Sequence, residues 1–136
     1  MPAPSDARAL FAAAAGGALG AIARYAIDLT ADRLGVALPW ATLTINVVGC
    51  ALMGVLVSFV LAHPSRHVLW RPFLAVGVLG GFTTFSALAG DAVGVANEGA
   101  WLASAAYIVA TLAGGLVAMW AGYAVGHALH RRRPVT

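Results

Sequence analysis

Four long apolar stretches constrain the fold of this chain more than any other feature of its sequence. They cover roughly residues 10–27, 40–62, 73–96 and 101–125, and each approaches the length of about 20 residues that a helix needs to cross a bilayer. Charged residues make up only 10% of the 136 residues, whereas a soluble domain carries about a quarter. The sequence therefore predicts a single all-α membrane domain, residues 1–136, of four transmembrane helices.

The alanine-rich start of the chain resembles the small-residue cleavage zone of a signal peptide, over Ala12–Ala15. The apolar stretch continues past this zone to Ala23. A signal peptide has a shorter apolar region that ends at its cleavage site. We therefore expect an uncleaved first helix.

The arginine distribution predicts the orientation of the chain in the membrane. All eight basic residues are Arg, and an even number of spans puts both termini and the loop between spans two and three on one side. Six Arg lie on that side and two on the other. The six are Arg8, Arg66, Arg71, Arg131, Arg132 and Arg133. By the positive-inside rule, both termini are expected in the cytoplasm. The terminal Arg run is interpreted as a topology signal and an anchor to lipid headgroups, or else as a solvated tail without a role, and not as a nucleic-acid site.

Pairs of glycines four residues apart occur in three of the predicted spans. They are Gly16 and Gly20, Gly77 and Gly81, Gly90 and Gly94, and Gly122 and Gly126. Such pairs allow helix backbones to approach closely, although each is a weak signal by itself. Because four short helices enclose little space, we expect a dimer or a larger assembly.

The residues needed for an enzyme are missing from the sequence. The metalloprotease, serine-hydrolase, Walker and dinucleotide motifs are all absent. A single cysteine, Cys50, can form neither an internal disulfide nor a zinc site. Asp91, late in span three, is the one acidic residue that could serve a proton-coupled transporter, and we interpret it as lying near the membrane surface. The chain is therefore not expected to be an enzyme.

Uncharged polar residues lie in spans two and four. Span two contains Thr42, Thr44 and Asn46. An Asn at this depth requires partners, and it either joins two helices or donates to a passing anion; the sequence does not separate these roles. Tyr107 and Thr111 are four residues apart on one face of span four, where they either line a polar track or pack.

The run Gly80-Gly81-Phe82-Thr83-Thr84-Phe85-Ser86 predicts that the third helix is broken near the midplane. Two Gly followed by two Thr weaken a helix. A break frees backbone groups that lipid cannot satisfy, so it faces protein, water or an ion. Broken helices at this depth commonly hold ions, and we favour an ion site over a packing kink.

Several segments resemble the Fluc/CrcB family of fluoride channels, and together they extend over most of the chain. They are GGFTTFS, TLTIN (Thr42–Asn46) followed by Gly49, GGALGAIARY (Gly16–Tyr25) and AAYIVATLAGG in span four. The resemblance implies a passive channel that exports fluoride and lowers its cytoplasmic concentration. It also implies an antiparallel dimer with two ion paths, in the cell membrane, with fluoride and lipid as its other partners.

The resemblance also assigns roles to individual residues. It implies a structural sodium ion held by the backbone carbonyls of Gly80 and Thr83. It places the fluoride path along Asn46, Phe85, Thr42, Thr84, Ser86, Tyr107 and Thr111. Fluoride holds its water strongly, so a path has to replace that water with hydrogen-bond donors. The positive edge of the Phe85 ring is also suited to an anion.

Two positions depart from the family pattern. Leu88 stands where a second pore phenylalanine is usual, and Gly115 stands where the track on helix four commonly has a serine. A chain that inserts in both orientations is expected to show little arginine bias, unlike this one. These features raise the hypothesis of a heterodimer with a related chain of opposite orientation, as the alternative to a homodimer.

Two other functions compete with the channel. A small proton-coupled multidrug transporter also has four spans, but it needs a carboxylate within span one, which is lacking here. A non-conducting partner subunit of a membrane complex would need only the glycine pairs. Such a subunit would not need Asn46 or a broken third helix.

Overall fold

A computed structural model describes residues 6–36, 38–62 and 69–131 of the chain. All the regular elements in these ranges are helical. They are α1 (Asp6–Arg33), α2 (Leu38–Ala62), a π-helical segment (Arg71–Leu79), α3 (Gly80–Phe82), α4 (Phe85–Asn97) and α5 (Trp101–Arg131). They provide four helices long and apolar enough to cross a membrane, the third of which extends over Arg71–Asn97. The predicted all-α, four-span, multi-pass membrane protein is confirmed.

The third span is interrupted between α3 and α4. Thr83 and Thr84 both have extended backbones, with φ/ψ of −80°/154° and −148°/126°. The Thr84 hydroxyl restarts the helix as an N-cap, because it accepts a hydrogen bond from the Ala87 N–H at 3.2 Å. Before the break the span is π-helical, with Pro72 in its first turn. The expected break thus lies within the Gly-Gly-Phe-Thr-Thr run.

Glycines in the left-handed backbone region end two of the helices. Gly35 (φ 69°) follows α1 and Gly99 (φ 85°) follows α4. The N–H of Val36 bonds to the carbonyl of Ala31 at 2.9 Å, and the N–H of Gly35 to that of Asp32 at 3.1 Å. The same pattern of bonds follows α4. Both ends are Schellman motifs, which satisfy carbonyls that the helix itself leaves unpaired.

The helices pack in two groups that meet at the break. In the first group, α1 packs against the π-helical segment and α3. In the second group, α2 packs along α5, and α4 packs against α5. Glycines bring the backbones together in each group. A Cβ built on Gly20 would collide with the carbonyl of Val78, and one on Gly54 with that of Met119.

Three of the four glycine pairs lie at such contacts, as their spacing indicated. Gly90 and Gly94 of α4 differ, since a Cβ on either would meet no atom within 4 Å. This face of α4 is therefore open in the single chain. The large exposed apolar side chains along the helices provide the surface that lipid covers.

The observed helices extend beyond several of the expected spans. α1 ends at Arg33, six residues beyond the expected end of the first span at residue 27. Arg24 pairs with Asp28 at 3.6 Å along the same helix, so these charges continue it as a polar turn. Of the residues that carry the arginine bias, Arg66, Arg132 and Arg133 lie outside the described residues.

Candidate functional site

Asn46 of α2 pairs with the backbone of Thr84 at the helix break. The Thr84 N–H donates to Asn46 Oδ1 at 2.9 Å, and Asn46 Nδ2 donates to the Thr84 carbonyl at 3.0 Å. The amide thus replaces the backbone partners that a continuous helix would give Thr84. Asn46 is only 9% exposed. Since an amide nitrogen has two N–H groups, one remains after this pairing.

The break is also shaped by its own hydroxyl groups and by a glycine opposite it. The Thr83 hydroxyl donates to the carbonyl of Leu79 at 2.9 Å, and the hydroxyls of Thr84 and Ser86 lie 3.1 Å apart. Gly49 of α2 faces the break, and a Cβ there would collide with the Thr83 side chain. The absence of a side chain at Gly49 therefore allows α2 to lie against the break.

A groove of about 440 Å³ opens beside the break, between α2, α4 and α5. We call this cavity the break groove. Five of the predicted site residues line it: Asn46, Thr83, Thr84, Phe85 and Thr111. The other lining residues are Cys50, Leu88, Leu112, Gly115, Leu116 and Met119. No acidic or basic side chain is among them, so the groove presents neutral dipoles to whatever enters it.

Leu88 and Gly115, the two departures from the family pattern, both line the break groove. Leu88 is buried, with an exposed fraction of 4%, so its side chain packs within the chain. The Phe85 ring is 76% exposed. The ring therefore projects outward from the chain at the edge of the groove.

Tyr107 and Thr111 of α5 form a hydrogen-bonded network with Asp91 of α4. The Tyr107 hydroxyl donates to Asp91 Oδ2 at 3.2 Å, and the Thr111 hydroxyl donates to the Tyr107 carbonyl at 2.9 Å. The Thr42 side chain is also buried. Each hydroxyl has a single hydrogen. In this structure the hydrogens of Tyr107 and Thr111 are therefore directed to protein acceptors.

The remaining predicted residues lie around the groove and not along its wall. Thr42 and Tyr107 are buried between α2 and α5, and Ser86 is exposed in the first turn of α4. Gly80 is exposed in α3, where a Cβ would find only the Ala75 carbonyl, at 3.7 Å. The structure thus brings Asn46 and Thr111 together with the residues of the helix break. Tyr107 is linked to this group through its hydrogen bond with Thr111.

The carbonyl groups at the end of α3 have the chemistry to hold a hard cation. A helix end leaves its last carbonyls without helical donors. Because Thr83 and Thr84 are extended, those donors are not restored across the break. Neutral carbonyl oxygens are suitable ligands for sodium. Gly80 has no side chain to obstruct access. The carbonyls of Gly80 and Thr83 therefore fit the implied ion.

Sequence reasoning gave three neighbours of the site too little weight. Asp91, interpreted as lying near the membrane surface, is half-buried and accepts the Tyr107 hydrogen bond. Cys50 lines the groove, and Gly49 makes room for Thr83. The spacing contained a signal for Cys50, because it lies four residues after Asn46 on the same helical face.

Comparison with known proteins yields consistent matches. The family model described as "CrcB-like protein, Camphor Resistance (CrcB)" matches residues 11–123. A protein named fluoride-specific ion channel FluC from Agrobacterium fabrum is 44% identical over 117 residues, which cover 85% of this chain and 94% of the relative. One of the same name from Rhizobium meliloti is 42% identical over 116 residues, covering 85% and 93%. A protein named FluC 2 from Thermobifida fusca is 53% identical over 83 residues, covering 61% and 62%.

Proposed function

The chain belongs to the CrcB-like family, and on that basis we propose that it is a fluoride-selective ion channel through which fluoride leaves the cytoplasm passively. Its similar relatives carry the name of a fluoride-specific ion channel. These names favour a channel over a multidrug transporter or a non-conducting subunit. The family is one of ion channels and not of enzymes.

The observation that supports this function best is the neutral break groove in the membrane part of the chain. A small anion crosses lipid only where dipoles replace its hydration shell, and a fixed positive charge would trap it. The groove wall combines an amide, hydroxyl groups and an aromatic ring without any Arg. This set of groups provides donors that bind an anion and also release it.

Each path residue has a proposed part. The free N–H of Asn46 donates to fluoride. The other N–H and the oxygen of the Asn46 amide bond to the Thr84 backbone at the break. Thr111 donates when its hydroxyl rotates away from the Tyr107 carbonyl, and Asp91 orients the Tyr107 phenol. The Phe85 ring presents its positive edge at the outer rim of the groove. Thr84 supplies a hydroxyl at the groove wall, and Thr42 and Ser86 supply hydroxyls near it.

A second chain is proposed to complete the path. The groove is open on one side, the Phe85 ring at its rim is 76% exposed, and Gly90 and Gly94 present an open face on α4. The partner is a second copy or a related chain in the opposite orientation. The arginine bias of six against two, together with Leu88 and Gly115, supports the related chain.

A structural sodium ion is proposed between the two chains. The carbonyls of Gly80 and Thr83 would hold it, and the same pair from the partner would complete the ligand set. When bound, the ion supplies positive potential near the anion path without a buried Arg. Within this chain, the extended Thr83 backbone holds its own carbonyl away from helical bonding.

Fluoride efflux from liposomes that contain the purified protein tests the proposal. A fluoride electrode records efflux, and chloride-loaded liposomes serve as the control. Rapid fluoride efflux with little chloride efflux is expected, either from this chain alone or after co-expression with a related chain. Absence of selective efflux in both preparations, from folded protein, would refute the proposed function.

Two matched threonine variants test the path. Thr111→Val removes a hydroxyl from the groove wall, and Thr44→Val removes one from an exposed position on α2. Both hydroxyls donate to the carbonyl four residues earlier in the same helix, at 2.9 and 2.8 Å. Both variants therefore remove the same type of hydrogen bond. Thr111→Val is expected to slow fluoride efflux between about twofold and about tenfold, and Thr44→Val to leave it unchanged. Equal rates for the two variants would remove Thr111 from the path.

A further inference from the structure

Asn46 and Cys50 of α2, and Thr111 and Gly115 of α5, all line the break groove, where these two helices pack against each other. Asn46 and Cys50 are four residues apart on α2, and so are Thr111 and Gly115 on α5. Residues at this spacing lie one above the other on a helix face. The groove therefore has a second level, one helical turn from Asn46 and Thr111, where Cys50 faces Gly115.

The thiol of Cys50 occupies the space that a side chain at position 115 would need. A Cβ built on Gly115 would lie 3.2 Å from Cys50 Sγ and 4.0 Å from Cys50 Cβ. This approach to Sγ is tighter than ordinary van der Waals contact. Gly115 is buried, and α2 and α5 pack closely at this level. Because Gly115 has no side chain, there is room for the thiol at the groove wall.

The second level would have no hydrogen-bond donor without this thiol. Leu112, Leu116 and Met119 line the groove around Gly115, and all three are apolar. The Thr111 hydroxyl one turn away donates to a backbone carbonyl. Cys50 forms no hydrogen bond within the part of the chain that the structure describes, whereas a thiol is able to donate one weakly. Its S–H is free to meet an ion in the groove.

We infer that the Cys50 thiol is a further donor on the fluoride path and takes the place of a polar side chain at position 115. This inference rests on the proposed channel function. It adds a consequence, because a thiol exposed to a narrow ion path binds soft metal cations. Silver ion reacts there by replacing the thiol proton: an S–Ag bond forms, the S–H bond breaks, and the proton leaves to water. The bound metal then obstructs the groove.

Silver sensitivity tests the inference on the unmodified protein. Cys50 is the only cysteine in the sequence, so the reactive thiol is unambiguous. Proteoliposomes loaded with fluoride in chloride-free nitrate buffer, which avoids silver chloride, are treated with micromolar silver nitrate. Fluoride efflux is expected to stop in the wild type and to persist at its own rate in Cys50→Ser. Efflux from the wild type that is indifferent to silver would overturn the inference and leave the proposed function standing.

A relocated thiol controls for silver acting elsewhere on the protein. Leu52 lies on α2 but is 50% exposed, away from the groove lining. Leu52→Cys in the Cys50→Ser background is expected to remain insensitive to silver. If silver blocked fluoride efflux through this variant as completely as through the wild type, block would not depend on a thiol in the groove. That result would contradict the inference.

Exchange of the donor between the two helices tests the role of the thiol as a donor. Cys50→Ala removes the donor and is expected to slow fluoride efflux between about twofold and about tenfold. Cys50→Ala combined with Gly115→Ser places a hydroxyl on α5, in the space that the sulfur has left. Efflux is expected to recover in the double variant. Failure to recover, with a size-exclusion profile like that of the wild type, would count against the inference. Absent fluoride efflux in the wild type, both alone and after co-expression with a related chain, would instead refute the channel itself.

Discussion

The pairing of Asn46 with Thr84 predicts a specific and large loss of stability in Asn46→Leu. Leucine branches at the same atom as asparagine and is larger, so the change removes two hydrogen bonds of 2.9 and 3.0 Å without leaving a cavity. The N–H and carbonyl of Thr84 then remain in a buried setting without their partners. Each unpaired group costs about 1–3 kcal/mol, which gives about 2–6 kcal/mol for the two. Lipid has no hydrogen-bonding groups that could replace the lost partners.

The free energy of unfolding in mixed detergent micelles, titrated with a denaturing detergent, measures this loss. Thr44→Leu is the matched control, because Thr44 lies two residues earlier on α2, is exposed and bonds only within its own helix. Hydrogen exchange at the Thr84 amide gives a local measurement, with about tenfold faster exchange for each 1.4 kcal/mol of lost protection. If Asn46→Leu and Thr44→Leu agreed within about 0.5 kcal/mol, the argument that Asn46 holds the break would be refuted.

Two further predictions concern packing and the network beside the groove. Gly20→Ala is expected to destabilise the chain by about 1–3 kcal/mol, because its Cβ would meet a backbone carbonyl of the third span. A Cβ on Gly17 would meet nothing within 4 Å, so Gly17→Ala is expected to be neutral or to stabilise α1 by up to about 1 kcal/mol. Unfolding of both variants in detergent measures the difference, and equal effects would contradict the packing argument. Tyr107→Phe is expected to lower the free energy of unfolding by about 1–3 kcal/mol, because it leaves the half-buried Asp91 carboxyl without its donor. Tyr123 has a partly exposed ring, so Tyr123→Phe is expected to have no effect in the same titration.

The broken third helix was predictable because its cause is local. Glycine and β-branched threonine weaken a helix wherever they occur, so the Gly-Gly-Phe-Thr-Thr run indicated the break before any packing was known. The hydrogen-bond partner of the broken backbone was not predictable, because Asn46 is 38 residues away from Thr84 along the chain. The sequence left Asn46 between a structural role and donation to an anion. The geometry shows the structural bonds and leaves one N–H for the proposed second role.

The network around Tyr107 shows a different limit of sequence reasoning. The four-residue spacing of Tyr107 and Thr111 correctly indicated a shared helix face. Spacing gave no information about the direction of the hydrogen atoms, which here go to the Asp91 carboxylate and to the Tyr107 carbonyl. Asp91 was interpreted from its position along span three alone. Its contact with α5 depends on how two helices pack, and a single sequence does not specify that.

The arrangement of the helices in two groups has a consequence for how the chain is built at the ribosome. α1 finds its partner early, because the π-helical segment and α3 are synthesised before α5. α2 has to wait for α5, which begins only at Trp101, before Gly54 and Ser58 gain the neighbours that they contact there. The α5 wall of the break groove is therefore the last to emerge. We expect a nascent chain to reside in the membrane without a conducting path until its final helix inserts, so that an unfinished molecule does not leak ions.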